Sequence, residues 1–336
     1  MKVIGSGHVE FFSPEDEGPH PIGRDAWWNE SVWLQFAERS SGLYGAIRIG
    51  HQPNFQGGHT SIWSLIGTPD WIYKRDGLYP LTESDRVATG FAANGTHRFE
   101  ADSRGGHWSI DDEDISVSLL VEDFHPPIGY TPGSHMETIA KNHFEASGKI
   151  SGDITIKGRR YEIRDGLASR DHSWGIRYWN HLRVHRFTAA TFGPDLSCNA
   201  ICFYDETDRL SQWGYVVRGD TIIPAVEVDV IAYMEADGIS NRGGIVRYVL
   251  PDGEEMVVEL QPVNKGMISR QHTLAINDTI CWAMIGDRVG AGVFETNSNP
   301  QGGTIIPSQR GLVRTLVDNG IVAAGQAFSG FMPKAP

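Results

Sequence analysis

The chain has 336 residues, of which 40% are hydrophobic and 21% charged, a composition typical of globular rather than disordered proteins. Its net charge of −13 disfavours nucleic acid and anionic membrane surfaces as partners, because both attract clustered Lys and Arg. The three cysteines, Cys198, Cys202 and Cys281, show neither a disulfide framework nor zinc-ligand spacing. The N-terminus lacks an apolar signal segment and no apolar run reaches the roughly 18 residues of a membrane span, so we expect a cytoplasmic protein without membrane insertion.

Short segments of alternating hydrophobicity along the chain predict β-strands. They include residues 32–36, 115–121 and 226–230, each with the pattern of a half-buried strand. Turn sequences lie between such segments and predict hairpins. These turns are Asn94-Gly95, Lys157-Gly158, Gly219-Asp220 and Pro251-Asp252-Gly253. The best helical candidate is short and covers residues 308–318.

Many short strands joined by regular turns indicate an all-β fold, either a sandwich or a barrel. A stiff, turn-rich passage from His125 to Gly133 marks a domain boundary within residues 125–165. The sequence therefore predicts an N-terminal domain at residues 1–165 and a C-terminal domain at residues 166–336. Each has the size of one closed barrel of roughly eight to ten strands.

One stretch, residues 170–177 (R-D-H-S-W-G-I-R), concentrates acid/base and aromatic chemistry. Asp171 and His172 can form a coupled acid/base pair, and the ring face of Trp174 can stabilise a cation. Gly175 allows the backbone to approach a neighbour closely. The alternative is structural: adjacent residues of a strand face opposite sides, and an ion pair of Asp171 with a flanking arginine would pin the end of a barrel.

The residues around this octet resemble a known superfamily. The matching residues are His143-Phe144-Glu145, Gly148 and Gly152, Gly158-Arg159-Arg160-Tyr161, Asp165-Gly166, the octet itself, and Gly290-Ala291-Gly292-Val293-Phe294-Glu295. They resemble the lipocalin-like hydroxyneurosporene synthase (carotenoid 1,2-hydratase) and AttH-related superfamily, and within it a bacterial branch with the stretch R-D-H-S-W-G-x-R. The resemblance is sharp over residues 143–177 and elsewhere is a matter of pattern.

The resemblance implies two consecutive lipocalin-like antiparallel β-barrels whose apolar interior or shared cleft holds a hydrophobic substrate. The hydratases of this superfamily add water to an isolated C=C bond without a cofactor. Their proposed catalytic groups include an H-x-W pair, which His172 and Trp174 match. A second, Tyr/Asp pair has its nearest match in Tyr204 and Asp205, which are adjacent here but separated by one residue in the family.

Further side chains are candidates for the substrate pocket, since aromatic residues of a barrel can line a cavity and inward-facing carboxyls can act as acids. The substrate-binding candidates are Arg177, Trp179, Trp28, Trp33, Trp63, Glu145 and Glu295. No metal is expected, because no H-x-H motif with a spaced Glu and His is present. His181 and His185 on a strand would lie about 13 Å apart. No phosphate-binding glycine loop is present either. The resemblance implies that no cofactor is needed.

The expected function is that of a cofactor-independent hydratase or dehydratase, a carbon–oxygen lyase. It would act by general acid/base catalysis on a C=C bond of a hydrophobic isoprenoid, terpenoid or polycyclic substrate. Two alternatives stay open: an isomerase or cyclase (pericyclase-like) that shapes a polyene, and a non-catalytic carrier of hydrophobic ligands. The expected partner is a small hydrophobic molecule, and assembly as a homodimer stays open.

Overall fold

The computed structural model describes residues 1–5, 9–129, 141–178, 182–205, 207–234, 241–263, 267–271, 274–298 and 319–324. Over these ranges the protein is all-β, as predicted, with short 3-10 turns at Pro14–Glu17 and Glu83–Asp85. Within the same ranges, no helix has the length and apolar character needed to cross a bilayer. The helix predicted at residues 308–318 lies outside the described residues.

The strands are numbered in chain order. The first fourteen are β1 (Lys2–Val3), β2 (Glu10–Phe11), β3 (Trp28–Glu38), β4 (Leu43–Gln52), β5 (His59–Gly67), β6 (Trp71–Pro80), β7 (Arg86–Val87), β8 (Gly90–Ala93), β9 (His97–Asp102), β10 (Gly105–Asp112), β11 (Ile115–Asp123), β12 (Ile128–Gly129), β13 (Asn142–Ile156) and β14 (Arg159–Ile176). They are followed by β15 (Leu182–Thr191), β16 (Leu196–Asp205), β17 (Leu210–Arg218), β18 (Thr221–Pro224), β19 (Glu227–Met234), β20 (Asn241–Val249), β21 (Glu255–Pro262), β22 (Met267–Gln271), β23 (Leu274–Ile285), β24 (Arg288–Ser298) and β25 (Gly320–Ala323).

All four predicted hairpins are confirmed. Asn94-Gly95 joins β8 to β9, Lys157-Gly158 joins β13 to β14, Gly219-Asp220 joins β17 to β18, and residues 251–253 join β20 to β21. In the first two turns both named residues have positive φ, between 51° and 75°, as a type I′ turn requires. Lys157-Gly158 is a two-residue loop, whereas the loop between β8 and β9 contains a third residue, Thr96.

The described residues form two compact units. The N-terminal unit contains residues 9–177 and 319–324, and the C-terminal unit contains the described residues of 1–5 and 178–298. The boundary therefore differs from the predicted one at 165, and the reason is β14. This long strand pairs continuously with β13 on one side and β3 on the other, so a division at residue 165 would cut through it.

The N-terminal unit is a curled antiparallel sheet in the order β25-β6-β5-β4-β3-β14-β13-β11-β10-β9-β8-β7, with β12 pairing β13 and β2. Its curl brings inward side chains of distant strands into one apolar core. Leu34 and Phe36 of β3 thus share the core with Phe91, Phe99 and Trp108 from the far end of the sheet.

The C-terminal unit is a second sheet in the order β1-β18-β17-β16-β15-β24-β23-β21-β20-β19, with β22 pairing β23. Its pairs are antiparallel except for β1 and β18, which run parallel. Its own core contains Ala200, Val216, Tyr248, Val258 and Phe294. Two curled sheets, each with its own core, agree with the predicted pair of lipocalin-like domains.

Strand β3 departs from the half-buried pattern predicted for residues 32–36. Trp33 and Gln35 are as inaccessible as Val32 and Leu34, so both faces of the strand are covered. The face that carries Val32 and Leu34 looks into the core and is called the inner face here. The face that carries Trp33 is called the reverse face.

Candidate active site

The inner face of β3 changes from apolar to polar toward the start of the strand. Val32 is the last of the apolar inward residues, and Glu30 and Trp28 follow it in the inward position. Register places Trp174 of β14 and His51 of β4 directly opposite Glu30, one on each side. His172 lies opposite Val32, one step nearer the core. Ionisable and aromatic side chains therefore lie close together at the end of the barrel where β3 begins.

A segment before β3, residues 12–20, is anchored over this end of the barrel and is called the strap here. Arg170 of β14 faces inward and donates from Nη1 and Nη2 to the two carboxylate oxygens of Glu17, at 2.8 and 2.6 Å. It also donates from Nε to Asp123, at 3.0 Å. All three side chains are buried. The ion pair fixes Glu17, and through it His20 three residues later.

His20, Glu30 and His172 form a hydrogen-bonded chain. Nδ1–H of His20 donates to Glu30 Oε1 at 2.7 Å, and Nε2–H of His172 donates to the same oxygen at 3.1 Å. The backbone N–H of His20 also donates to Oε1 and Oε2 of Glu30, at 3.0 and 3.1 Å. Glu30 is thus a buried carboxylate whose charge is held by several donors.

Both ring nitrogens of His20 face carboxylates, because Nε2 lies 3.4 Å from Asp16 Oδ1. A neutral imidazole has only one N–H, so this environment favours the imidazolium. Burial alone would lower the pKa of His20, but the hydrogen bonds to Glu30 and Asp16 outweigh it and raise the pKa above its ordinary value. Burial would likewise raise the pKa of Glu30, but the hydrogen bonds from His172 and His20 lower it.

Aromatic rings hold the two imidazoles in place. Trp174 stacks on His20 with ring centroids 3.8 Å apart and planes at 10°. A stacked indole favours a charged imidazole by the cation–π attraction. His172 is fully buried and is enclosed by Phe91, Phe144 and Trp174, each with its ring centroid 5.0–5.3 Å away.

A pocket of about 400 Å³ opens beside this chain, a volume typical of small-molecule sites. Its polar lining groups are His20, Glu30, His51 and Arg86, and its other lining residues are Pro19, Ile22, Trp28, Pro53, Leu81, Val87, Ala88 and Gly90. Two of the residues expected to face an apolar cavity, Asp171 and Trp174, do not line this pocket. His172 itself does not line it and reaches it only through Glu30.

His51 differs from His20 in its protonation. Its Nε2–H donates to the backbone carbonyl of Ala92 at 2.8 Å, and burial lowers its pKa below the ordinary value. A neutral imidazole that donates from Nε2 carries its lone pair on Nδ1. His51 is thus a base on the wall of the pocket that His20 also lines.

The spacing of His20, Glu30 and His172 also suits a divalent metal, since their ligand atoms lie within 4.8 Å of one another. Two imidazoles and one carboxylate are ligands that iron or zinc accepts. A metal bound there would replace the hydrogen bonds that join the two imidazoles to Glu30. The expectation that no metal is needed stays a prediction, which a chelator tests directly.

Several residues expected in the pocket lie instead on the reverse face. Asp171 is opposite Trp33, which is opposite Arg48, which is opposite Trp63. Glu145 is opposite Asp171 in the same row. The two tryptophans are buried, and the Arg48 guanidinium lies 4.8 Å from the ring centre of Trp63. Strand alternation explains the separation, because Asp171 and His172 necessarily face opposite sides.

Glu145 can act as an acid, as expected for a buried carboxyl group, although it does not line the pocket. Burial, followed by the nearby charge of Asp171, raises its pKa well above the ordinary value. Nε2 of His143 lies 2.9 Å from its Oε1. This carboxyl group can therefore hold a proton, but on the reverse face and away from the pocket described above.

The other candidates have varied surroundings. Trp28 lines the pocket, as expected. Arg177 donates from Nη2 to Ser173 Oγ at 2.6 Å. Gly175 has φ of +131°, and a Cβ there would make only an ordinary contact of 3.5 Å with Lys141 Cβ, so backbone conformation rather than close approach favours glycine. Trp179 and His181 lie outside the described residues.

Three candidates belong to the C-terminal unit. Tyr204 is 39% exposed, and Asp205 Oδ1 closes a turn by accepting from the backbone N–H of Thr207 and Arg209, at 2.8 and 3.0 Å. These contacts account for Asp205 as a turn residue and give the expected Tyr/Asp pair no catalytic geometry. Glu295 Oε1 lies 3.1 Å from His185 Nδ1; burial would raise its pKa, but the bonds from His185 and Asn297 lower it.

Sequence reasoning found His172, Trp174 and Trp28 but missed His20, Glu30 and His51. Glu30 and His51 are 21 residues apart and become neighbours only through the β3–β4 hairpin register. This register could have been predicted from the sequence, because a hairpin with a four-residue turn at residues 39–42 pairs Glu30 with His51. No sequence signal places His20 there, since the strap is positioned by the buried ion pair of Arg170.

The fold and this site define a class of β protein with lipocalin-like curled sheets. Among solved structures, an AttH-like protein from Nitrosomonas europaea is similar with a TM-score of 0.63 and 12% identity, over 89% of this chain and 99% of that one. Kievitone hydratase from Nectria haematococca is similar with a TM-score of 0.58 and 10% identity, over 88% and 95%. CghA has a TM-score of 0.58 and 11% identity, over 82% and 89%.

The chain itself belongs to the family described as Domain of unknown function (DUF7064), whose model matches residues 13–300. No curated protein is similar enough in sequence to count as a match. The structural likenesses support the link to AttH-like proteins at the level of the fold. Membership of the bacterial branch with the R-D-H-S-W-G-x-R stretch stays a prediction.

Proposed function

We propose that the protein is a hydratase or dehydratase acting on a C=C bond of a hydrophobic isoprenoid, terpenoid or polycyclic molecule. The observation that carries this proposal is that His20 and His51 line one pocket and have pKa values shifted in opposite directions. Two titratable groups whose environments separate their pKa values are suited to the roles of acid and base. Adding water to an alkene needs both roles, an acid to protonate carbon and a base to take a proton from the attacking water.

In the hydration direction, His20 is the acid. Its Nε2–H makes only a long contact to Asp16, so this proton is the more available of the two. The π electrons of the alkene take the proton to form a C–H bond, and the electron pair of the N–H bond stays on His20. The neighbouring carbon becomes positively charged, and the Glu30 carboxylate and the Trp28 ring on the pocket wall offset that charge.

His51 completes the addition as the base. A water molecule attacks the cationic carbon, and Nδ1 of His51 accepts one of its protons, which leaves a neutral alcohol. Solvent then returns the proton balance between the two histidines. The reverse sequence is dehydration, with His51 as the acid toward the hydroxyl group and His20 as the base toward carbon.

His172 and Trp174 have positioning roles in this scheme. His172 donates to Glu30 from the core side, and Trp174 supports the ring of His20 by stacking. The mainly apolar lining of the pocket favours a hydrophobic substrate. The fold likeness to kievitone hydratase supports the proposal by analogy only, since one fold hosts many functions.

The test is turnover of a panel of prenylated, terpenoid and steroidal alkenes in water enriched in heavy oxygen. We expect incorporation of the label into an alcohol by the wild type. Because the acid forms the cation and the base activates the water that attacks it, His20→Gln and His51→Gln are each expected to lose about 100-fold or more in kcat/KM. His107→Gln, at an exposed histidine of β10, is the matched control and should retain full activity.

Three results would contradict the proposal. Product that carries no label from water would favour an isomerase or cyclase, and ligand recovered unchanged from a stoichiometric complex would favour a carrier. Loss of activity on treatment with a chelator, restored by a divalent metal, would replace direct proton transfer by metal-assisted chemistry.

A further inference from the structure

Arg86 occupies an unusual place for an arginine. It lies on β7, the last strand of the N-terminal sheet, and pairs in register with Phe91 of β8. Directly paired residues of an antiparallel ladder share a face. Phe91 is fully buried and its ring lies 5.3 Å from those of His51 and His172, so this is the inner face. Arg86 therefore projects from the inner face at the mouth of the pocket, which it lines.

The charge of Arg86 is only weakly engaged by the protein. Its ion pair among the described contacts is with Glu83, at 3.6 Å between Nε and Oε1, and the side chains of the two residues are 52% and 91% exposed. Exposed ion pairs of this length contribute little. The neighbouring Asp85 is buried and is already used, since it accepts from the backbone N–H and the hydroxyl of Thr82 at 2.8 and 2.7 Å.

A guanidinium with free donors is well suited to a carboxylate, which it can bind through two parallel hydrogen bonds. The same pocket is also lined by the acid/base groups, and its remaining lining is mainly apolar. We propose that the substrate is a hydrophobic alkene that carries a carboxylate, and that Arg86 binds this carboxylate at the mouth of the pocket. The inference rests on the proposed function for the choice of an alkene, but the recognition of the carboxylate is independent of turnover.

A structural explanation competes with this one. Charged side chains that point inward on edge strands prevent sheets from pairing with one another, and β7 is an edge strand. This explanation predicts that replacing Arg86 promotes self-association and leaves ligand affinity unchanged. The two explanations thus differ in a measurable way.

The experiment measures binding of cis-parinaric acid, a fluorescent polyene carboxylic acid, and of its uncharged methyl ester. We expect the wild type to bind the acid about tenfold more tightly than the ester, as a charge-assisted hydrogen bond provides. Arg86→Met should abolish this preference by weakening the acid alone, and Arg86→Lys should restore part of it. Arg98→Met, at an exposed arginine of β9 that pairs with Glu100, is the matched control and should keep the preference.

Equal affinity of the wild type for acid and ester would overturn the inference, as would an equal loss for both ligands in Arg86→Met. Self-association of Arg86→Met with unchanged affinities would establish the edge-protection explanation in its place. A preference for the acid without any hydration activity would leave this inference standing and would remove the proposed function. Failure of both ligands to bind the wild type would count against both.

Discussion

His20 and His51 share Glu30 as a neighbour but hold their protons differently. The difference comes from what surrounds each ring. Two carboxylates face the two nitrogens of His20, whereas His51 is buried and donates to a backbone carbonyl. The hydrogen-bond partners of each ring therefore determine its role: carboxylate partners favour a charged imidazole that can act as an acid, and burial beside a carbonyl favours a neutral imidazole that can act as a base.

A pH profile tests this assignment. Hydration needs a neutral His51 and a charged His20, so we expect a bell-shaped dependence of kcat/KM on pH. Activity should fall on the acid side as His51 becomes protonated, below the ordinary pKa of histidine, because burial lowers its pKa. It should fall on the alkaline side as His20 loses its proton, above that ordinary pKa, because hydrogen bonds to Glu30 and Asp16 outweigh burial and raise the pKa.

The alkaline limb can be assigned with one substitution. Glu30→Gln removes the charge that stabilises the His20 imidazolium, so the pKa of His20 should decrease and the alkaline limb should move to lower pH. The titration of the His20 ring, followed by NMR, should move in the same direction. An alkaline limb that stays in place in Glu30→Gln would assign it to another group.

Much of this site is hidden from the sequence for a physical reason. His172 and Trp174 could be found because they are two residues apart on one strand and so share a face. The partners of His172 come from two other segments, and only the folded register of β3, β4 and β14 brings Glu30 and His51 together. Asp171 lies on the opposite face from His172, as strand alternation predicts for adjacent residues.

At the scale of elements, the strap and β14 act together. Arg170 holds Glu17 and Asp123 while its own strand carries His172 and Trp174. Arg170, the first residue of the octet, thus has a structural role. By binding Glu17 it holds the strap, and with it His20, beside His172 and Trp174. The strap carries His20 and β14 carries Trp174, and the two rings stack. Both elements are therefore needed to hold the proposed acid in place.

We expect Arg170→Met to lower the free energy of unfolding by about 3–5 kcal/mol, because it leaves two buried carboxylates without a counter-charge. Urea unfolding measures the loss. Arg98→Met removes an exposed ion pair and should change the same quantity by less than about 1 kcal/mol. Glu17→Gln separates the two roles: Arg170 keeps Asp123, and activity should decrease more than stability. Equal stability of Arg170→Met and the wild type would contradict the anchoring role.

At the scale of the whole molecule, each sheet includes a strand from the far end of the chain. β25 pairs with β6 in the N-terminal unit, and β1 pairs with β18 in the C-terminal unit. The sequence pattern predicted two consecutive barrels but could not show this exchange, because both strands are too short to have a recognisable period. The boundary predicted at residue 165 differs for a related reason. The turn-rich residues 125–133 are followed by β13 and β14, which belong to the same sheet as the strands before them.

The terminal strand predicts a specific sensitivity. Ile321 of β25 pairs with Tyr73 and packs against the core of the N-terminal unit. Ile321→Asp should lower the free energy of unfolding by about 2 kcal/mol and increase aggregation, because it weakens the strand that covers the edge of β6. Thermal unfolding and light scattering measure the two effects. Val257→Asp, at a valine that is 47% exposed in β21, is the control and should change neither.

The exchange of strands has a consequence for biosynthesis. The ribosome completes β6 early, but the strand that covers its edge is made roughly 240 residues later, at residues 320–323. During most of translation the edge of β6 in the nascent N-terminal sheet is therefore unpaired, which favours association with a chaperone or with another nascent chain. A fragment that ends with β14 would keep this edge of β6 open permanently, so a polypeptide has to extend through residues 320–323 for this sheet to be complete.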